Sequence, residues 1–542
     1  MNTASEFAGV AKILRAFPAI VFVFASATLL ARVWHGPFTL VFSVRSPLNS
    51  EGLAFVSFVL WYGLKERSPA GDERVGHFAG NYWPIAIAIA AILAYLPSVK
   101  TPFLFDDYTH IMDASRETWS SMIASSLWQH PRAGDFFFRP VGYISYWLDF
   151  KWAGSVPAGW HLWNLAMHTA NCFLVYVLCR QLAFRPAAAL LSALVFALQG
   201  SDAEVVAWMA ARFDLLACFF SLITLIALNR FLDSKRSLWL VVMAGGCMLA
   251  VLSKEAAFCL PVLALCLIGF RTSRSARDIA KLAGMLFGVC IVVLCYRTWF
   301  LGGIGGYRTR AGSAAILQFS IVRTLKALLF REWALLFFPV NWSVEPEWWL
   351  KLASVAMLIV AALLLRRSRP RTRRFWACLA FTVAAALPVQ HLLLIGPDLA
   401  GARVLYLPAL GVALFWGTLV QDCRSARIAL GCAAGLLVFQ ACALEHNLRI
   451  WSEVAQLSRQ TCLAAAKELA SDPRPIAVSG LPATLNGVFF LANGFPQCVA
   501  LNGHDSSDAA RIEVMNHAGT LGDGSARQFV WDRATLRLAR SQ

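Results

Sequence analysis

Charged side chains are scarce in this sequence of 542 residues: Asp, Glu, Lys and Arg make up 15% of it, whereas 58% is hydrophobic. An average soluble protein has about 25% charged and about 45–50% apolar residues. The mean hydropathy of +0.60 is correspondingly high. Because apolar segments of roughly membrane-spanning length recur along the chain, the composition argues against a soluble enzyme. It predicts an all-α polytopic membrane protein.

The sequence also lacks the clustered cysteines and histidines of a structural metal site. Most of its 14 cysteines lie inside apolar segments, where thiols act as small hydrophobes, and it has no CxxC motif or Cys/His cluster. Only Cys462 and Cys498 fall in the polar C-terminal region. We expect a disulfide between them if that region lies outside the cytoplasm.

The net charge of +17 is concentrated rather than spread over the chain. Six arginines crowd the short connection between residues 366 and 374, which is the bias of a cytoplasmic loop. We therefore expect a lipid bilayer, and no nucleic acid, as the chain's surroundings. Basic residues around the other segments give an integral, multi-pass protein with its N-terminus in the cytoplasm and its C-terminus outside.

The apolar segments predict about thirteen spans. They divide the chain into an N-terminal hairpin (1–80), a membrane module (81–445) with large outer loops at about 98–157 and 301–349, and a small extracytoplasmic α/β domain (446–542). In that last domain we expect a helix at Ser452–Ala470 and strand-like runs at Pro475–Ser479, Cys498–Leu501, Arg527–Trp531 and Thr535–Leu538. The predicted spans are Ala16–Trp34, Gly52–Leu64, Tyr82–Pro97, Trp160–Ala183, Ala187–Gln199, Arg212–Asn229, Ser237–Leu252, Ala256–Phe270, Ile279–Phe300, Leu352–Leu365, Phe375–Ile395, Val404–Val420 and Ile428–Leu444.

Two adjacent acids, Asp106 and Asp107, open the first large outer loop. A carboxylate there can act as a general base. It can equally cap the helix that follows, since Asp is favoured at helix N-termini. Paired acids can also bind Mg²⁺ or Mn²⁺, so a divalent cation is one candidate cofactor, although no clear third ligand is visible.

Further polar groups lie near the outer ends of the predicted spans, where ionisable side chains usually face a cavity or a partner. Spacings of three and four place His161, Asn164, His168 and Asn171 on one helical face. That face lines either a cavity or a hydrogen-bonded helix interface. The other groups on the same side are Asp202, Glu204, Arg212, Asp214, Lys254, Glu255 and Arg403. Arg212 and Asp214 could also pair structurally with each other or with Glu204.

The order of these motifs resembles the GT-C glycosyltransferases, and most closely their protein O-mannosyltransferase-like branch. The resemblance covers about Tyr82–Trp451. It includes the transmembrane O-mannosyltransferases with tetratricopeptide repeats and their bacterial relatives. The runs that carry it are Phe105–Tyr108, Phe138–Pro140, Ser145–Asp149, His161–His168, Glu204–Trp208 with Arg212 and Asp214, Ser253–Glu255, and Arg403 with Leu405–Pro408.

The resemblance implies a transfer of sugar from a polyprenyl-phosphate donor on the outer face of the membrane. It makes Asp106 or Asp107 the general base and Glu204 a second catalytic acid. Lys254 and Arg403 become candidates for the donor phosphate. The remaining candidate substrate-binding residues are Arg139, His161, His168, Arg212, Asp214 and Tyr406.

Three features depart from the family pattern. Relatives often have His-Pro before the second acid, where this chain has Gln199-Gly200, which puts any role of that histidine, including metal binding, in doubt. The tetratricopeptide repeats are replaced by the short C-terminal domain, so the acceptor need not be the same. The first two spans form an added hairpin.

The resulting hypothesis is an inverting transferase that moves mannose or another hexose to an acceptor hydroxyl on a protein or glycan, in the cell envelope, with the bacterial inner membrane as the expected location. Two alternatives stay open. The acceptor could be lipid A, a cell-wall polysaccharide or an O-antigen. The chain could instead be a flippase or transporter of lipid-linked sugars, although it lacks the two matching halves with broken helices that would favour one.

Overall fold

A computed structural model describes residues 83–129, 136–271, 276–307, 320–368, 372–472, 474–503, 506–515 and 526–540, with residue 315 and a few isolated positions before residue 58. The predicted N-terminal hairpin, with spans at Ala16–Trp34 and Gly52–Leu64, falls almost wholly outside the described residues. Two short strands, β1 (Phe38–Thr39) and β2 (Ser43–Val44), pair antiparallel within it.

The described residues between Trp83 and Ser471 are mostly helical. In chain order the α-helices are α1 Trp83–Tyr95, α2 Asp106–Arg116, α3 Trp119–Leu127, α4 Pro140–Ala153, α5 Pro157–Gln181, α6 Pro186–Ala197, α7 Ala203–Ala207, α8 Arg212–Ser234, α9 Leu238–Ser253, α10 Leu260–Cys266, α11 Ala276–Leu301, α12 Ile321–Lys326, α13 Glu332–Phe337, α14 Trp348–Arg367, α15 Thr372–Ala386, α16 Tyr406–Gln421 and α17 Ala426–Ser471. Proline occupies the first position of α4, α5 and α6, where its missing N–H costs no hydrogen bond.

The multi-pass helical class is confirmed. Among the described residues, eight helices are long and apolar enough to cross a membrane, or nine if the bent pair Pro186–Ala197 and Gly200–Ala207 is one span. Two shorter apolar helices, Leu238–Ser253 and Glu255–Phe270, follow α8. Helices thus occupy every predicted span from Tyr82–Pro97 onward. The total of thirteen stays a prediction.

The break between α6 and α7 falls at Gln199-Gly200, where the helix direction changes by 40°. Backbone groups freed at such a break need partners in an apolar environment. Gln440 of α17 accepts the Gly200 N–H at 3.0 Å, and Asn447 of α17 donates to the Gly200 carbonyl at 2.8 Å. A Cβ on Gly200 would lie 2.8 Å from the ring of Pro339. The polar face of α17 therefore holds the break in place.

The outer loop at about 98–157 folds as three helices, α2 to α4. Thr118 begins α3 with a capping box, in which its hydroxyl accepts the Ser121 N–H and Ser121 bonds back to the Thr118 backbone. Trp119 and Trp152 stay 54% and 68% exposed. Large aromatic side chains are favoured at a membrane interface.

Helix α17 runs from the membrane module into the C-terminal region without a break at the predicted boundary near residue 445. Beyond it, β3 (Ile476–Ser479) is the centre of a sheet, paired in parallel with β6 (Ile512–Met515) and β7 (Arg527–Asp532). Strand β8 (Arg537–Arg540) adds antiparallel to β7. A separate hairpin joins β4 (Thr484–Leu485) and β5 (Val488–Phe489).

The expected strand at Cys498–Leu501 is wrong, because Phe495–Gly503 forms a helix, α18. A short apolar run cannot distinguish a buried strand from a buried helix. The Cys498 N–H donates to the Gly494 carbonyl at 2.8 Å, so the first turn begins directly after that glycine. A disulfide joins Cys462 of α17 to Cys498, the pair that the sequence singled out.

Candidate active site

The two acids of the first outer loop have different surroundings. Asp107 is 1% exposed, and both of its oxygens accept backbone hydrogen bonds: from Leu104 at 2.9 Å and from Ala210 at 2.8 Å. Burial raises the pKa of Asp107 to about 8, although these two N–H groups oppose the shift. Asp107 ties the loop before α2 to the start of α8. It has no oxygen left for a substrate.

Asp106 is only half buried. Its Oδ1 accepts a hydrogen bond from the side-chain amide of Asn493, which lies in the C-terminal region. Burial raises the pKa of Asp106, while that hydrogen bond and the charges of Arg403 and Arg139 lower it by less. A carboxylate with a raised pKa is suited to proton transfer near neutral pH. Burial raises the pKa of both acids, so the choice rests on geometry: Asp106 is half-buried and only its Oδ1 is hydrogen-bonded, which favours Asp106 over Asp107 as the acid that meets a substrate.

The polar face of α5 forms a helix interface. His161, Asn164, His168 and Asn171 are all 1% exposed or less. Their partners lie on neighbouring elements: the His161 Nε2 is 2.9 Å from the Thr101 carbonyl, and the His168 Nδ1 is 2.8 Å from the Tyr406 hydroxyl. Three of the predicted substrate-binding residues, His161, His168 and Tyr406, thus lie in an interhelical hydrogen-bond network rather than in an open cavity.

Arg212 is also buried within the fold. Its side chain is fully enclosed, pairs with Asp149 of α4, and donates through Nε to Asn164 at 2.8 Å. It does not pair with Asp214 or Glu204, the partners considered from the sequence. Burial raises the pKa of Asp149 to about 6, although Arg212 opposes the shift. Arg212 therefore connects the outer loop to α5.

Most of the remaining predicted residues form ion pairs on the side of the predicted outer loop. Arg403 pairs with Glu204, and its Nη2 donates to the Tyr307 hydroxyl at 3.2 Å. Lys254 pairs with Asp214, and both side chains are 6% exposed. Each of these cations is partly neutralised before any ligand arrives. A lysine ammonium has three donors, however, so Lys254 can bind a second acceptor.

Arg139 begins α4 and forms a two-pronged pair with Glu255. Its Nε donates to Glu255 Oε2 at 3.0 Å, and its Nη2 donates to Oε1. The guanidinium also lies over the ring of Phe137, with 4.2 Å to the ring centroid. Planar bidentate contacts of this kind fix both side chains. The pair links the outer loop that carries Asp106 to the turn that carries Lys254.

An apolar cavity of about 550 Å³ opens beside these ion pairs. The polar side chains that line it are Lys254, Glu255, Arg297, Tyr307 and His391. Arg297 is 7% exposed, and its Nε has no hydrogen-bond partner among the described residues. The apolar lining consists of Phe258, Cys259, Val262, Phe287, Cys290, Ile291, Leu294, Ile304, Ala384, Leu387, Pro388, Val389 and Leu392.

The electrostatics at the mouth of this cavity favour an anion. Burial alone raises the pKa of Tyr307, but Arg403, Arg139 and Lys254 together bring it below its usual value. The three cations thus produce a positive potential at the phenol oxygen of Tyr307. Tyr307 also connects the cavity to Arg403, and Arg403 and Arg139 both act on Asp106. Arg403 therefore links the cavity, through Tyr307, to the aromatic residues beside the candidate base.

The divalent cation considered for the paired acids stays a prediction. No group of three His, Cys, Asp or Glu side chains within the described ranges is arranged to hold one. Both oxygens of Asp107 accept backbone N–H groups, and Glu204, Asp214 and Glu255 each pair with Arg or Lys, although the Oε2 of Glu204 is buried without a partner among the described residues.

Four residues of the candidate site were not predicted from the sequence: Arg297, Tyr307, His391 and Asn493. Arg297 could have been found from the sequence. A charged side chain within an apolar span costs free energy, so a lone arginine there is a candidate functional residue. His391 lay in a predicted span in the same way. Asn493 carried no such signal, because its contact with Asp106 joins positions 387 residues apart.

Several curated proteins are similar to this chain. The protein O-mannosyl-transferase F38B6.6 of Caenorhabditis elegans is 25% identical over an alignment of 385 residues that covers 64% of this chain and 52% of that protein. The human protein O-mannosyl-transferase TMTC4 is 22% identical over 458 residues, covering 70% of this chain and 61% of its own length. The chain thus spans between about half and three fifths of these relatives. No family model matches the chain.

Solved membrane transferases are more distant. The Archaeoglobus fulgidus oligosaccharyltransferase tethered to an acceptor peptide is 12% identical, with a TM-score of 0.41, covering 78% of this chain and 63% of that chain. ArnT from Cupriavidus metallidurans, bound to undecaprenyl phosphate, is 15% identical with a TM-score of 0.37, covering 81% and 87%.

Proposed function

We propose that this chain is a glycosyltransferase that moves a hexose, with mannose as the first candidate, from a polyprenyl-phosphate donor to an acceptor hydroxyl on the outer face of the membrane. One observation carries the proposal. An apolar cavity ends in cationic groups that are linked through Tyr307 and Arg403 to a half-buried carboxylate, Asp106. The names of the curated relatives support a transferase and support mannose.

The cavity suits both parts of such a donor, the apolar isoprenoid chain and the charged phosphate. Its apolar lining on α11, which includes Phe287, Ile291 and Leu294, suits an isoprenoid chain. Phe287 is 58% exposed, as expected of a side chain that meets lipid. The phosphate would lie at the polar end against Arg297 and Lys254. Arg297 is the stronger candidate, because its Nε is buried without a partner, whereas Lys254 already pairs with Asp214.

The proposed reaction is a single displacement with inversion. The acceptor hydroxyl attacks the anomeric carbon, the bond from that carbon to the phosphate oxygen breaks, and polyprenyl phosphate leaves. Asp106 takes the hydroxyl proton, and the cations at the cavity mouth stabilise the charge that develops on the phosphate. The ion pairs Arg403–Glu204 and Arg139–Glu255 position the groups around the reacting carbon.

The outer face of the membrane is the proposed side for this chemistry. The arginine-rich connection between α14 and α15 lies at the end of α14 opposite to the loop before it, and such connections are cytoplasmic. The Cys462–Cys498 disulfide supports an oxidising compartment for the C-terminal region, such as the bacterial periplasm.

Two alternatives can be separated from this proposal by chemistry. A flippase or transporter would move the lipid-linked sugar intact. The purified protein in lipid vesicles should instead convert polyprenyl-phosphate mannose to free polyprenyl phosphate when an acceptor is present. Acceptors can be compared in the same assay as peptides, lipid A and polysaccharide fragments. Movement of intact donor across the vesicle without release of polyprenyl phosphate would contradict a transferase.

Replacing Arg297 with glutamine is expected to raise the KM for the donor by about tenfold or more. Hydrogen bonds to charged groups contribute about 1.5–3 kcal/mol, and 1.4 kcal/mol is tenfold in affinity. Steady-state rates over a range of donor concentrations measure the change. Arg323→Gln is the matched control, since this arginine follows Ser320 on the exposed α12 and does not line the cavity. An unchanged donor KM in Arg297→Gln would place the phosphate elsewhere.

A further inference from the structure

Residues 484–494 of the C-terminal region reach into the candidate active site. They include the β4–β5 hairpin and the turn that precedes α18. The side chain of Asn493 in this turn donates to Asp106 Oδ1. Its own amide oxygen accepts the Gly494 N–H at 3.1 Å, which fixes the orientation of the amide. The nitrogen of Asn493 therefore points to the carboxylate.

The fit between the two segments is close at the backbone. Gly494 has φ +76°, and a Cβ at this position would lie 2.2 Å from the Phe105 carbonyl oxygen. Phe105 itself has a positive φ of 47° directly before Asp106. Only glycine at 494 permits both the turn and the approach. The contact of Asn493 with Asp106 is thus built into the backbone path on both sides.

Helix α18 anchors this turn. The Cys498 N–H bonds to the Gly494 carbonyl, and the Cys462–Cys498 disulfide fixes α18 to the long helix α17. Asn502 donates to the Cys498 carbonyl at 2.8 Å. The segment that carries Asn493 is therefore held at its C-terminal end by a covalent bond.

The hairpin covers a second part of the site. The ring of Phe489 stacks on Trp208 with 4.9 Å between centroids, and the Arg403 guanidinium lies 5.0 Å from the centroids of both rings. Arg403 is the cation that pairs with Glu204 and acts on Asp106. The C-terminal segment thus contacts both Asp106, through Asn493, and Arg403, through Phe489.

From these contacts we infer that Asn493 is a positioning residue for Asp106 and that the C-terminal region completes the active site. The contact between Asn493 and Asp106 is given by the geometry, whereas its effect on catalysis rests on the proposed function. Asn493 holds Oδ1, and no described residue donates to Oδ2, which leaves that oxygen for the acceptor hydroxyl. A hydrogen bond donated to a carboxylate also favours its ionised form, which is the form that accepts a proton.

The test measures the protonation of Asp106 without requiring activity. A water-soluble carbodiimide couples to a protonated carboxyl group, so mass spectrometry of labelled Asp106 across a pH series gives the midpoint of its titration. We expect Asn493→Ala in the full-length protein to move that midpoint to higher pH, because a hydrogen bond to the ionised form is lost. Asn493→Asp is expected to move it further, because it adds a neighbouring negative charge.

The same variants report the catalytic consequence. For Asn493→Ala we expect the acidic limb of kcat/KM to move to higher pH with the labelling midpoint, and the rate on that limb to fall about two- to fivefold, because the hydrogen bond is exposed to solvent. Arg474→Ala is the control within the C-terminal region, since its ion pair with Asp472 is 61% exposed on the arginine side. It is expected to leave both readouts as in the wild type.

Two outcomes are distinguishable. If the labelling midpoint is the same in Asn493→Ala as in the wild type, the inference is overturned, even if activity falls. A purely structural role for Asn493 would leave the titration midpoint of Asp106 unchanged. A wild-type protein that releases no polyprenyl phosphate overturns the proposed function, whereas the labelling midpoint still tests the contact.

Discussion

Asp106→Asn is expected to lower kcat/KM for sugar transfer by about 10²–10⁴-fold, the usual contribution of a general base. Asparagine has nearly the same shape and still accepts the hydrogen bond from Asn493. The protein should therefore fold and bind donor as the wild type does. Rates of polyprenyl phosphate release and the donor KM, measured on both proteins, give the change.

The neighbouring acid provides the matched control. Asp107→Asn turns one of two hydrogen-bond acceptors into a donor that faces the N–H of Leu104 or Ala210. An unpaired buried polar group costs about 1–3 kcal/mol. We expect this variant to unfold at lower temperature and to keep its activity where it remains folded. The reverse pattern, an active Asp106→Asn and a stable but inactive Asp107→Asn, would exchange the two roles.

The pH dependence follows from the direction of the Asp106 shift. Because its pKa lies above the usual carboxylate value, the base becomes protonated at a higher pH than a free aspartate would. The acidic limb of kcat/KM in the wild type should accordingly lie above the range of ordinary carboxylates. Activity falls as the pH is lowered through that limb.

The second large effect concerns stability. Arg212→Ala is expected to destabilise the protein by about 3–5 kcal/mol, because it leaves the carboxylate of Asp149 without its partner in a buried site. The loss also removes the hydrogen bond to Asn164. Thermal unfolding in detergent measures the change. A double substitution with Asp149→Leu should recover part of it, since a buried ion pair replaced by apolar side chains is often nearly neutral.

The cost of Arg212→Ala should also depend on pH. The folded-state pKa of Asp149 is already raised to about 6, and removing Arg212 raises it further. A raised folded-state pKa contributes stability below the unfolded value that is lost as the pH rises through the folded value. The gap between variant and wild type should therefore widen above about pH 6. A gap that is the same at all pH values would mean that the charge of Asp149 is not the cause.

The helices themselves could be predicted from sequence, because each apolar segment from Tyr82 onward has membrane-spanning length or nearly so. Periodicity also placed His161, Asn164, His168 and Asn171 on one face of α5. It could not say what that face meets. The partners are Thr101, Tyr406 and backbone carbonyls of other helices, which only tertiary packing brings together.

The distinction between Asp106 and Asp107 could not be predicted for a related reason. Adjacent residues at the start of a helix point in different directions, and here Asp107 is the one that is buried. The two backbone N–H groups that hold Asp107 include one from Ala210, more than a hundred residues away. Only the order of the motifs, and not the role of each acid, was available from the sequence.

The measurement that tests the central claim most directly is the acceptor-dependent release of free polyprenyl phosphate from polyprenyl-phosphate mannose, with wild type and Asp106→Asn assayed side by side. The account predicts release by the wild type and a rate lower by about 10²–10⁴-fold for a folded Asp106→Asn. Equal release by the two proteins would contradict Asp106 as the base, and no release by either would contradict the transferase.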